Sequence, residues 1–87
     1  MKISVWDTYL TREDGKVMHF DILAPTEVQD LNIILGYGKD YLRQKPFLTH
    51  NLTSNECRFC HIEQPSEAII SDIKQKGYSI VEMENCI

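Results

Sequence analysis

The tripeptide Glu13-Asp14-Gly15 separates two runs rich in β-branched and aromatic residues, Ile3–Leu10 and Lys16–Leu23. Such a pattern predicts a β-hairpin. Two registers compete. A two-residue Asp-Gly loop pairs Leu10 with His19; a three-residue loop with Gly15 in the left-handed region pairs Leu10 with Met18. A one-residue slip turns every side chain of a strand to the other face, so the apolar pattern decides. Only the three-residue loop puts Trp6, Leu10, Met18, Phe20 and Ile22 on one face, with Thr8 the sole polar member.

That register fixes the opposite face too. It carries Asp7 across from Asp21 and Tyr9 across from His19, flanked by Val5, Val17 and Leu23. Facing carboxylates repel. Solvent, a raised pKa, a hydrogen-bond partner or a cation must relieve them, and an ordinary solvated sheet face is the plainest way.

Downstream, Thr26-Glu27-Val28-Gln29 has the form of a capping box. Val28, Leu31, Ile34, Leu35, Tyr41 and Leu42 follow at helical spacing, and the helix should stop before Pro46. Gly36 and Gly38 weaken this helix; Gly38 falls on its apolar stripe, where a missing side chain lets the helix sit close to the sheet. A phosphate-cradling loop at Gly36-Tyr37-Gly38 lacks both a third glycine and a preceding strand. Residues 46–53 read as a connector and 54–63 as a third strand. Pro65-Ser66-Glu67 opens a second helix with Ile69, Ile70 and Ile73 on its apolar side, ended by Gly77. Tyr78–Met83 is a fourth strand.

The expected order is β-β-α-β-α-β over one domain, residues 1–87. A βαβ unit formed by the last three elements implies parallel strands and a mixed four-stranded sheet. With both helices on the Trp6 face, the expected fold class is α+β, a two-layer sandwich with one sheet face open.

A net charge of −4 and no basic stripe argue against a nucleic-acid partner, and no apolar run is long enough to cross a bilayer. The N-terminus lacks a signal-peptide apolar region, so the expected location is the cytoplasm, with cysteines reduced. Cys57-Arg58-Phe59-Cys60-His61 has the C-x-x-C-H form of covalent haem attachment, which needs export and a second axial ligand that only Met83 or a histidine could nominally supply. A structural zinc site lacks a second cysteine pair, and Cys57 and Cys60 point to opposite faces of a regular strand. Structural cysteines are the favoured reading, with Cys60 and Ile62 toward the helices and Cys57, His61 and Glu63 on the open side. If the third strand lies beside the hairpin, Cys57 and His61 join Asp7, His19 and Asp21 in a set of metal-ligand candidates suited to a divalent transition metal such as zinc, or to a small polar ligand.

The segments Val5–Tyr9 (VWDTY), Asp14–Leu23 (DGKVMHFDIL), Glu56–Glu63 (ECRFCHIE) and Lys76–Glu84 (KGYSIVEME) resemble those of the small bacterial domain-of-unknown-function (DUF) family twenty-twenty-four. The resemblance spans nearly the whole chain. It implies a small α+β protein and carries no catalytic residue across. Three functions remain in view: a metal- or polar-ligand-binding protein, a protein-interaction module or homo-oligomer with purely structural cysteines, and an enzyme using His19 between Asp7 and Asp21 as acid and base. The enzyme is the least favoured, since no activated nucleophile is visible.

Overall fold

The computed structural model describes residues 1–87. Its elements are β1 (Ile3–Thr11), β2 (Val17–Pro25), α1 (Leu31–Leu42), β3 (Cys57–Glu63), α2 (Glu67–Lys76) and β4 (Ser79–Glu84). They follow the expected order of an α+β chain. The hairpin has the three-residue loop: Leu10 pairs with Met18, Asp7 with Asp21 and Tyr9 with His19. Gly15 takes φ +91°, where a Cβ is strained, and its N–H donates to the Arg12 carbonyl at 3.0 Å. The Asp14 carboxylate locks the turn, accepting from the Lys16 N–H at 3.1 Å and from the Arg12 guanidinium at 2.7 Å.

The sheet order is β3-β1-β2-β4. Every neighbouring pair is antiparallel, so the sheet is not mixed. β3 joins the free side of β1 and β4 the free side of β2. The chain through α2 therefore runs from one edge of the sheet to the other, and no parallel βαβ unit forms.

The helices lie on opposite faces, not on one. α1 covers Leu10, Met18, Phe20 and Ile22 with Ile34, Leu35 and Tyr41. α2 lays Ile73 and Ile69 on Ile3, Val5 and Leu23, which alternate onto the other face. The fold is thus three layers deep at this end. The reason lies in the hairpin. Its open end is apolar on both faces: Ile22, Leu23 and Ala24 are consecutive and all buried. One helix cannot cover both sides.

α1 starts later than the capping box suggests. Residues 26–29 turn the chain, with Val28 N–H on the Pro25 carbonyl at 3.0 Å, and Asp30 is the cap, accepting from Asn32 N–H at 2.9 Å. α2 begins and ends as expected, with Ser66 accepting from Ile69 N–H at 3.3 Å and Gly77 left-handed at φ +90°. Gly38 is a contact glycine: a Cβ there would stand 2.6 Å from Leu52 Cδ2 and 2.9 Å from Ile22 Cδ1. A Cβ on Gly36 meets nothing within 4 Å. Gly36→Ala should therefore stabilise the chain by up to about 1 kcal/mol. Gly38→Ala should destabilise it by about 1 kcal/mol net, overpacking exceeding the same propensity gain. Urea unfolding of the two variants tests this; equal shifts would deny the close approach.

Candidate functional site

Alternation along β1 and β2 turns Asp7, Tyr9, His19 and Asp21 away from α1, and α2 stops short of them, covering only the Ile3–Val5–Leu23 end. His19 reaches diagonally across the strand pair, its Nε2 lying 2.5 Å from Asp7 Oδ1. The Tyr9 ring stacks on the imidazole with centroids 4.1 Å apart and planes 12° from parallel, which holds the ring in its plane. Asp21 completes the group: one ligand atom from each of Asp7, His19 and Asp21 can be chosen so that all lie within 4.8 Å of one another.

The electrostatics of this trio are unbalanced. Asp21 Oδ1 is buried and no donor reaches it while both carboxylates are ionised; when one of the pair is protonated, Asp7 and Asp21 share that proton. Burial, then the neighbouring Asp7 carboxylate, push the Asp21 carboxyl up to about 6, against a smaller opposing pull from His19 and His61. Asp7 and His19 are partly accessible, at 34% and 20% of their side-chain surface. The site therefore opens to solvent through Asp7. A depression of about 600 Å³ adjoins it, lined by Asp7, Tyr9, Thr11, Asn55, Glu56 and Arg58.

The remaining two metal-ligand candidates lie outside this group. Cys57 pairs with Thr8 and is 3% exposed in the main core, on the α1 side of the sheet. Burial raises its thiol pKa, and its place on the opposite face of the sheet keeps it out of the Asp7 group. The expected facing of β3 is thus reversed for Cys57, and Cys60 is exposed. A β-bulge explains both: Val5 pairs with His61 and Trp6 with Phe59, leaving Cys60 as the extra residue. His61 does share the face of Asp7, opposite Val5, but is engaged by Glu63 at 3.0 Å and by Cys60 Sγ at 3.2 Å. Cys86 is buried, its thiol donating to the carbonyls of Glu84 at 3.2 Å and His19 at 3.4 Å. In the native protein Ellman's reagent should thus titrate Cys60 promptly and Cys57 and Cys86 only on unfolding. Prompt reaction of all three would contradict this packing.

Sequence reasoning missed the Tyr9–His19 stack as a positioning contact, although their pairing was legible. It also missed Glu82, which accepts from Tyr41 Oη at 2.5 Å and pairs with Lys45. These hydrogen bonds hold its carboxyl below the usual range, that from Lys45 contributing most. No local signal joins residues so far apart.

Fold and site together define a small α+β protein with an antiparallel sheet and an acid–imidazole group on its half-covered face. The chain belongs to the family described as Domain of unknown function (DUF2024), whose profile matches residues 1–83. It is similar to protein NE1680 from Nitrosomonas europaea, whose structure was determined by NMR: the two are 40% identical, the match covers 100% of each chain, and the TM-score is 0.78. No curated protein matches the chain. No helix is long and apolar enough to cross a membrane.

Proposed function

We propose that this is a cytoplasmic protein that binds a divalent transition metal through Asp7, His19 and Asp21. The observation that carries this reading is the buried Asp21 Oδ1, which no donor reaches while it and the facing Asp7 carboxylate are both ionised. Buried polar atoms normally have partners, and each exception calls for a reason. A cation supplies one: it satisfies the oxygen, cancels the repulsion and takes the place of the proton shared by Asp7 and His19. One imidazole nitrogen and two carboxylate oxygens suit zinc, nickel or copper better than calcium. Three protein ligands on an open face leave a coordination position for water or an external ligand. Tyr9 acts as a positioning residue, through its stack on His19.

Isothermal titration of the purified chain with zinc, nickel and copper at pH 7.5 should show one equivalent of metal bound. His19→Ala and Asp21→Asn should each abolish it, while Cys57→Ser should leave it intact. Absence of heat with all three metals, or binding that survives both ligand substitutions, removes the reading.

A further inference from the structure

We infer that β3 is a homodimerisation edge: two copies pair antiparallel through β3, about a two-fold axis between Cys60 and His61, joining two four-stranded sheets into one of eight strands. β3 lies at the edge of the sheet, and every residue after Cys57 is exposed. Phe59 and Ile62 are 52% and 53% exposed, in line with each other on the α1 face. Long edges with exposed apolar residues invite pairing.

The bulge makes the strand self-complementary. Phe59 and Ile62 face the α1 side with their partners Trp6 and Ser4; Arg58, His61 and Glu63 face the other side with Asp7, Val5 and Ile3. Cys60 shares the His61 side, since its sulfur lies 3.2 Å from the ring nitrogen. Read from either end, the facing order is the same. Pairing about the 60/61 axis sets Arg58 against Glu63 of the second copy, Phe59 against Ile62, and Cys60 against His61, every pair on a common face. A shift by one residue in either direction puts Phe59 opposite a residue of the wrong face. The matched register also joins opposite charges and two apolar side chains, the combinations that stabilise cross-strand pairs. Arg58 takes part in none of the five ion pairs within the chain, and Glu63 only in its exposed contact with His61, which a bond to Arg58 of the second copy would share or replace.

The backbone agrees. Tyr9 N–H donates to the Glu56 carbonyl at 3.0 Å, so alternation turns the polar groups of Arg58 toward β1 and those of Phe59 outward. Ser4–Ile62 lies two residues along β1 from Trp6–Phe59, so Ile62 also presents its groups outward. Phe59 and Ile62 are the pair this register would hydrogen-bond. The other edge is less suited, because β4 itself carries three glutamate and polar positions, among them Glu82, held in an ion pair with Lys45. None of this depends on the metal reading, which uses other side chains.

A six-residue edge contact is small beside standard interfaces, so the dimer should be weak and concentration-dependent. Sedimentation equilibrium of the full chain, up to about 1 mM, should show the mass climbing from 10.1 kDa toward twice that value. Ile62→Lys should weaken the dimer at least about tenfold with the melting of dilute protein unchanged. Arg58→Glu and Glu63→Arg should each weaken it, and the two combined should restore it. If either reversal lowers melting, Arg58→Gln and Glu63→Gln replace them, and each should weaken association. A chain that stays at 10.1 kDa throughout, an Ile62→Lys variant that dimerises like the parent, or charge variants without effect overturns the inference.

Discussion

Phe20→Ala is expected to lower stability by about 3–5 kcal/mol, the range for removing a large aromatic from a packed core. Phe20 is fully buried at the centre of β2, between Met18 and Ile22, which are equally buried. Its ring packs against Tyr41 of α1 with centroids 4.9 Å apart. The lost surface and the cavity left behind add, because α1 already lies against the sheet and has little room to collapse further. Gly38 has already brought it against Ile22 and Leu52. For a chain this short, about 3–5 kcal/mol is a large share of total stability and corresponds to a melting point lower by about 15–30 °C. Urea unfolding followed by circular dichroism measures it. A loss below about 1 kcal/mol would mean that α1 does not seal this face.

Asp21→Asn is expected to act in two opposed ways. The folded-state pKa of Asp21, about 6, lies above its unfolded value near 3.8. Between these values the folded state binds the proton more tightly, so the stability Asp21 contributes is fully present below pH 3.8 and lost as pH rises through 6. At pH 7 the ionised group opposes folding. The asparagine variant should then be more stable than the parent by on the order of 1 kcal/mol, discounted for solvent screening. That advantage should shrink below pH 6 and vanish below pH 3.8. Metal reverses the ranking. At a hundredfold excess over its dissociation constant, zinc should stabilise the parent by about 2.7 kcal/mol, raising its melting point by about 10–20 °C, and leave Asp21→Asn unmoved. The parent's response should fade toward pH 5 as protons compete for the ligands. Thermal melts at pH 4, 5 and 7.5, with and without zinc, contain the whole test. A variant less stable than the parent at pH 7.5 without metal would show that Asp21 has a partner after all.

The trio of Asp7, His19 and Asp21 was legible because three local facts fix it: the length of the 13–15 loop, the left-handed Gly15, and strict alternation on two strands joined by that loop. The ends of α2 were legible for a similar reason, since Ser66 and Gly77 bond within one turn of the helix they bound. Cys57 was misplaced because its strand has no such reference. With Cys60 bulged and both faces of β3 exposed beyond Cys57, no apolar alternation reveals which way it points. The Thr26 box failed as an α1 start because the chain first had to turn away from β2, and Asp30 offered an equally good cap four residues later.

Backbone stereochemistry and side-chain alternation, both written in consecutive residues, were enough to specify the hairpin register, the polar trio and the limits of the second helix. The strand order, the division of the helices between two faces and the facing of β3 came only with tertiary structure. These depend on contacts between residues far apart in the chain, where the winner is set by which pairing buries the most apolar surface. Here that surface lies on both sides of Ile22–Ala24, so a helix was drawn to each face and the last two strands went to opposite edges.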